Sequence, residues 1–567
     1  MYGRNHLSLN GKWQIIINWY DIKHEAIGKD MKPTGKTDFV EFDFSDAMQL
    51  QVPGDWNSQL PELKYYEGTV CYKRVFDYSR KQGNRIFLHF GAVNYQAEAY
   101  LNGVLLGSHE GGFTPFQFDI TDQLKATNNV LVVIVNNQRH EDAIPALNYG
   151  WWNYGGITRD VLLVETPPVY VEDYFIQLEK GTTDQIKGWI KLNGASAPQQ
   201  VKLEIPEAKI HEELKTNESG YTSFSLKREL FLWSPANPKL YKVKISTPEE
   251  TVEDEIGFRS VEVKGTDILL NKQSVFLKGI NIHEEIPERM GRACSEADAH
   301  YLLGLAKELD CNFIRFAHYP VNEYLVRIAE QMGMLVWEEI PLWQRIQFSN
   351  PQVAGKAEQM LAEMVARDKN RCNVIIWSVS NETRPGPERN DVTVKLLQKA
   401  RELDSTRLVS AAISHFKYNK NEITVDDPIC QYMDVIGINN YLGWYYPWPS
   451  EPGDINWVFE VEKPVIYSEF GAEALYGNHG SADVAHEWNE EYQENVYKAN
   501  IAMLKNIPAL RGVSPWLLMD YRDPTRLHPV FQDGWNRKGV LSDKGDKKKA
   551  WYVLRKYYDS IPCYPQR

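Results

Sequence analysis

Cysteine is scarce and unpatterned in this chain. Six occur in 567 residues (Cys71, Cys294, Cys311, Cys372, Cys430 and Cys563), with no CxxC pair and no histidines at zinc spacing. That excludes a disulfide framework and a structural zinc site, and leaves mostly buried thiols. Long apolar runs are missing too: no segment approaches the roughly 18 residues that a membrane helix needs. Clusters of positive charge are lacking, since 63 basic residues are outnumbered by 76 acidic ones without long runs, for a net charge of −13. A nucleic-acid footprint is therefore not expected. The short run Lys547-Lys548-Lys549 reads as the solvated start of a helix. The opening Met1-Tyr2-Gly3-Arg4-Asn5-His6 has no basic region leading into an apolar core, so no signal peptide is expected. As it stands the sequence reads as cytoplasmic, or as periplasmic or secreted if a leader has been removed.

What is present is size, aromatic content and a change of pattern along the chain. A chain of 567 residues exceeds one hydrophobic core, which predicts two to four domains. The 17 Trp, 31 Tyr and 21 Phe fit large β-rich cores, and they also fit rings that stack on the apolar faces of sugars. Residues 1–168 carry short alternating runs split by turn signals, as in Ala97-Glu98-Ala99-Tyr100-Leu101 before Asn102-Gly103, and predict a jelly-roll sandwich. Thr166-Pro167-Pro168 punctuates the chain. Residues 169–264 repeat the strand pattern at the length of an immunoglobulin-like sandwich. From residue 265 to 567, strands alternate with amphipathic helices, such as Glu296–Leu309, Val321–Met332 and Gly355–Arg371. Eight strands are predicted there: Ser274–Gly279, Asn312–Phe316, Met334–Glu338, Val374–Ser378, Leu408–Ile413, Val435–Ile438, Val465–Tyr467 and Gly512–Leu517. Eight β/α units in about 300 residues predict a TIM barrel.

The strand ends carry the chemistry. Ile375-Ile376-Trp377-Ser378-Val379-Ser380-Asn381-Glu382 is a buried strand that closes on a carboxylate, and Val465-Ile466-Tyr467-Ser468-Glu469 is a second. Barrel enzymes keep their reactive groups on that C-terminal rim. Glycoside hydrolysis needs two carboxylates, one to protonate the leaving oxygen and one to attack or stabilise the sugar carbon. Other strand ends add Asn281, His283 and Glu284; Arg315 and His318; Glu338 and Glu339; Asn439, Asn440 and Tyr441; and Trp516. Each polar group buried unpaired costs about 1–3 kcal/mol, so convergence on one polar pocket is the economical reading.

The order jelly roll, Ig-like sandwich, barrel, together with these strand ends, resembles glycoside hydrolase family 2, which holds β-galactosidases, β-mannosidases and β-glucuronidases. The resemblance spans essentially the whole chain. It includes Val52-Pro53-Gly54-Asp55-Trp56-Asn57 and Asn153-Tyr154-Gly155-Gly156-Ile157-Thr158-Arg159 in the first domain. In the barrel it includes Gly279-Ile280-Asn281 with His283, Arg315 with His318-Tyr319-Pro320, the stretch ending at Glu382, and Ser468-Glu469-Phe470-Gly471-Ala472. It implies a retaining mechanism in which Glu469 attacks the anomeric carbon and Glu382 serves as acid, then base, with the two carboxyls about 5–5.5 Å apart. Glu382 should be kept protonated by an apolar wall or by the Glu469 charge. Arg315 and Tyr441 should hold Glu469 ionised, Asn381 should hold the sugar 2-hydroxyl, and Trp516 should floor the site. His283 and Asn439 join the substrate-binding set. No metal and no organic cofactor is required, and oligomers through the β-domains are common among such relatives.

Two motifs bear on the sugar. Asn536-Arg537-Lys538 resembles the Asn-x-Lys by which β-glucuronidases grip the substrate carboxylate. Asn439-Asn440-Tyr441-Leu442-Gly443-Trp444-Tyr445 resembles their Asn-x-Tyr-x-Gly-Trp-Tyr stretch. The implied substrate is a small-molecule or oligosaccharide β-glycoside ending in β-D-glucuronate. β-Galactosidase and β-galacturonidase are the alternatives, and a catalytically inactive carbohydrate-binding protein would lack one carboxylate. Two positions depart from the pattern: Gln532 stands where such enzymes carry arginine, and Gly150 where they carry aspartate. The first domain is then expected to contribute through Trp151 or Trp152, while Tyr445-Tyr446-Pro447-Trp448-Pro449 and Pro341-Leu342-Trp343-Gln344 line the mouth.

Overall fold

The computed structural model describes Arg4, residues 6–20, Gly28 and residues 44–564; Met1–Gly3, on which part of the leader reading rests, fall outside these. Two antiparallel sheets come first. One orders His6–Ser8, Val161–Thr166, Arg85–Phe90 and Phe116–Asp119; the other orders Met48–Val52, Gly11–Asn18, Thr69–Phe76, Asn129–Asn136, Gln96–Leu101 and Val104–Glu110. Alternation sends one face of each inward, where Trp13, Val70, Ile86, Leu88, Leu131 and Val133 pack together. A second sandwich follows, with Tyr170–Leu178, Gln185–Asn193 and Tyr221–Lys227 facing Ile210–Lys215, Gln200–Ile205, Tyr241–Ser246 and Thr251–Ile256.

The rest is a closed parallel barrel of eight strands: β1 (Leu277–Ile282), β2 (Phe313–Phe316), β3 (Leu335–Glu339), β4 (Val374–Asn381), β5 (Leu408–Ile413), β6 (Ile436–Asn439), β7 (Val465–Glu469) and β8 (Leu510–Val513). The predicted fold class and all eight strands are present. β1 starts three residues later than expected because Gln273–Ser274 pairs with Leu269 and Leu270 in a hairpin under the barrel. This hairpin and Trp233 close the floor against Leu277, Phe313, Leu335 and Ile376. Arg259 lies there too, donating to the carbonyls of Cys372, Val374 and Thr406. β8 ends at Val513, so Trp516 lies beyond the ladder and is held by its N–H to the Phe470 carbonyl. The second predicted helix is shorter than expected, Glu323–Gln331, because the Asn322 side chain caps it by accepting from the Tyr324 N–H.

No disulfide joins the six cysteines. No helix among the described residues is long and apolar enough to cross a membrane. One expectation is corrected. Lys548, read as solvated, is fully buried; its ammonium pairs with Asp520 at 2.7 Å and donates to the carbonyls of Ala474 and Arg537. The charge tolerates burial because every ammonium direction meets an acceptor.

Candidate active site

The rim is organised by Arg315, wholly buried on β2. Its guanidinium donates to Glu469 Oε1 at 2.6 Å, to both oxygens of Glu339 at 2.8 and 3.0 Å, and to the side-chain oxygens of Asn381 (2.7 Å) and Asn281 (3.1 Å). A planar five-donor fork suits such a hub, and a lysine could not serve it. Glu469, at the end of β7, receives a second bond on Oε2 from the Tyr441 hydroxyl at 2.7 Å. Burial pushes the Glu469 carboxyl above its ordinary value, while Arg315 and His318 pull it back and the Glu382 charge adds to the rise. Burial also raises Glu339, but Arg315 and His318 outweigh it and hold that carboxylate below its usual range.

Glu382 follows β4 with left-handed backbone, φ +53°. It is half-buried and accepts from Asn439 Nδ2 at 3.1 Å and from Gln344 Nε2 at 2.9 Å. The same Asn439 nitrogen bonds Asn381 Oδ1 at 3.0 Å, and Asn439 Oδ1 accepts from the Ser468 hydroxyl. The two carboxylates thus belong to one network running Glu382, Asn439, Asn381, Arg315, Glu469. Among the described residues, the buried Asn381 amide nitrogen and His283 Nε2 have no partner, so both have bonding capacity left for a ligand.

The aromatic wall lies beside this network. Trp516 stacks on His318 with centroids 4.7 Å apart and meets His283 edge-on at 5.2 Å. His283 also stacks on Tyr521 and contacts the Tyr319 hydroxyl. Burial, then the charges of His318 and Arg292, holds the His283 imidazole well below its ordinary pKa, hence neutral. Trp151 reaches in from the first domain and packs on His283, His318 and Trp343. Trp152 points elsewhere, under Arg522 and beside Tyr65. Where Gly150 stands, the backbone carbonyl accepts from the Tyr521 hydroxyl at 2.9 Å.

The Asn536-Arg537-Lys538 segment is no solvated turn. Lys538 is 1% exposed, and its ammonium donates to Tyr445 Oη at 2.8 Å and Glu473 Oε1 at 2.9 Å. Asn536 Nδ2 contacts the Tyr521 hydroxyl at 3.2 Å and Asp523 Oδ2 at 3.4 Å. Gln532 donates to the second oxygen of Glu473 at 2.7 Å. Burial opposes ionisation of Glu473, but Lys538 and Arg526 overcome it and hold its pKa down to about 2.

Sequence reasoning missed Gln344 as a partner of Glu382 and Glu473 as the partner of Lys538. Glu473 lies four residues past Glu469, which was the available signal. Nothing local pointed from Gln344 to a carboxylate 38 residues away. His415, after β5, is exposed and stays out of the network. Among the described residues no group of His, Cys, Asp and Glu side chains is placed to hold a metal ion.

A closed parallel barrel that gathers two carboxylates, their amide and guanidinium donors and an aromatic floor on its C-terminal rim has the form of a carbohydrate-cleaving (β/α)8 enzyme. The chain belongs to the glycosyl hydrolases of family 2: residues 169–259 match the model that bears the family's name alone, 7–167 its sugar binding domain and 261–562 its TIM barrel domain. A β-glucuronidase of Streptococcus agalactiae is 26% identical over 616 aligned positions, covering 99% of this chain and 97% of the relative. The structure of Bifidobacterium dentium β-glucuronidase complexed with coumarin-3-O-glucuronide superposes with a TM-score of 0.87 at 25% identity, covering 99% of this chain and 98% of that one. A β-galacturonidase of Eisenbergiella tayi bound to galacturonate gives 0.83 at 25% identity, covering 99% and 98%.

Proposed function

We propose that this protein is a retaining exo-β-glycosidase that removes terminal β-D-glucuronate, its three domains spanning residues 1–168, 169–264 and 265–567. The reading rests on the network that holds Glu469 between Arg315 and Tyr441 while tying Glu382 to it through Asn439 and Asn381. Glu469 is the nucleophile: two donors favour its charged form against burial. It attacks the anomeric carbon as Glu382 delivers a proton to the departing oxygen; Glu382 then takes a proton from the water that releases the sugar, as microscopic reversibility requires. The free Asn381 N–H suits the 2-hydroxyl, a contact that strengthens as the ring flattens. Trp516 offers its face to the sugar and His283 a neutral ring nitrogen. Every proton transfer and bond change in this scheme is served by these side chains.

The uronate reading is supported by the Lys538–Tyr445–Asn536 wall and by the named relatives. A lysine ammonium at the site favours a carboxylate over a hydroxymethyl group, because the charged oxygens add an attraction that a neutral hydroxyl does not supply. β-Galacturonidase stays the second reading, because a cation that binds the carboxylate does not distinguish the 4-hydroxyl and the Eisenbergiella tayi enzyme is similar over nearly the whole chain. The test is kcat/KM on matched aryl β-D-glucuronide, β-D-galacturonide and β-D-galactoside, for the parent and Lys538→Ala. The reading expects the glucuronide to lead and the lysine change to remove the advantage of both uronides. A leading galactoside that Lys538→Ala leaves unaltered overturns it.

A further inference from the structure

Lys538 is not the only cation on this wall. The Arg526 guanidinium donates at 2.8 Å to the same Tyr445 oxygen that Lys538 reaches. It also bonds Asp523 through Nε at 3.0 Å and lies 3.4 Å from Glu473. Both carboxylates are served without it. Glu473 accepts from Lys538, Gln532 and Trp488, and Asp523 from the N–H and hydroxyl of Thr525 and from Asn536. The charges are layered by depth. Glu473 and Asp523 are fully enclosed and Lys538 is nearly so, whereas the Arg526 side chain keeps 24% of its surface open beside a Tyr445 that is 47% exposed. Of these four charges the Arg526 guanidinium is the most open to solvent.

We propose that Arg526 is a second specificity-determining cation, which with Lys538 and the Tyr445 hydroxyl binds the carboxylate of a terminal hexuronate. The inference rests on the uronidase reading and adds a division of labour to it. Lys538, paired to Glu473, sets the position of Tyr445. Arg526, with guanidinium surface to spare, carries the open side of the carboxylate contact. A charge-assisted bond to a planar fork is stronger than a neutral one and demands the carboxylate's geometry.

The experiment compares parent, Arg526→Gln, Arg526→Lys and Lys538→Ala on matched aryl uronides and aryl hexosides of gluco and galacto configuration. Inhibition by free D-glucuronate and by D-glucose is measured alongside, with melting curves to check the fold. Arg526→Gln should lower the uronide-to-hexoside ratio of kcat/KM by roughly tenfold or more and weaken inhibition by glucuronate relative to glucose, and Arg526→Lys should recover part of both. If the parent prefers uronides and Lys538→Ala removes that preference while Arg526→Gln leaves the ratio intact, the inference fails and the uronidase reading stands. If Arg526→Gln depresses uronide and hexoside equally, Arg526 only supports Tyr445 and the inference fails. If the parent shows no preference for uronides, both readings fall.

Discussion

At the scale of single residues, the two carboxylates are distinguished by their partners. Glu469 is gripped by a guanidinium and a phenol; among the described residues Glu382 accepts from two neutral amides. Replacing either by alanine should lower activity on an unactivated glycoside by roughly three orders of magnitude or more. Azide separates the roles. In Glu469→Ala it should enter the vacated space and give the α-glycosyl azide; in Glu382→Ala it should intercept the covalent intermediate and give the β-anomer. Product stereochemistry by NMR checks both, and a β-azide from Glu469→Ala reverses the assignment. A second outcome concerns pH. Burial already raises Glu469, and the Tyr441 bond favours its charged form. Tyr441→Phe should therefore raise the pKa further, so that the acidic limb of kcat/KM moves to higher pH. An acidic limb that stays in place would show that Tyr441 does not set the charge of Glu469.

At the scale of elements, two loops carry the wall proposed to meet the uronate. The loop after β6 turns at Gly443, with φ +83°, and a Cβ there would come within 2.7 Å of Trp448 Nε1. Only glycine accepts both conditions, and the turn delivers Tyr445 to Lys538. Gly443→Ala should cost about 1–2 kcal/mol of stability and reduce uronide turnover more than hexoside turnover, measured by melting and by paired kinetics. The loop after β8 brings Lys538 to Glu473. Glu473 is depressed from 4.5 to about 2, so its stabilising effect is complete above pH 4.5 and is lost as the pH falls toward 2. Acid unfolding of Glu473→Gln should show a weaker pH dependence in that interval, from a lower starting stability. A profile parallel to the parent's would mean that the pairing contributes nothing. These elements also show where pattern reading stops. The eight strands were legible because buried parallel strands are continuous apolar runs ended by polar residues. The loops after β6 and β8 have no period, and the contact of Lys538 with Tyr445 spans 93 residues.

At the scale of the whole molecule, the first domain is bolted to the barrel rim. Arg159 is buried and donates to Glu284 Oε2 at 3.0 Å, the Pro320 carbonyl at 2.7 Å and the Phe113 carbonyl at 2.7 Å. Its neighbour in the same contact, Arg292, pairs with the same Glu284 oxygen at 3.1 Å. Arg159→Ala takes a donor from the Pro320 and Phe113 carbonyls and leaves Glu284 to Arg292 and the Asn322 N–H, a loss of about 1–3 kcal/mol. Because Trp151 of that domain packs on His283 and His318, the expected outcome is a lower melting temperature with a fall in kcat/KM. Unchanged kinetics in a destabilised variant would show that the first domain supports the barrel without shaping the site.

What the sequence determined on its own was the order of three folds, the eight barrel strands and the two carboxylates that close two of them. These are properties of local runs, written by burial and strand period. The tertiary structure decided which donors meet which carboxylate, that Trp151 and not Trp152 enters the site, that Lys538 is buried against Glu473, and that Arg526 stands at its open edge. Hydrogen-bond partnership depends on distance in space, and a closed barrel brings together strand ends that lie 154 residues apart, as Arg315 and Glu469 do.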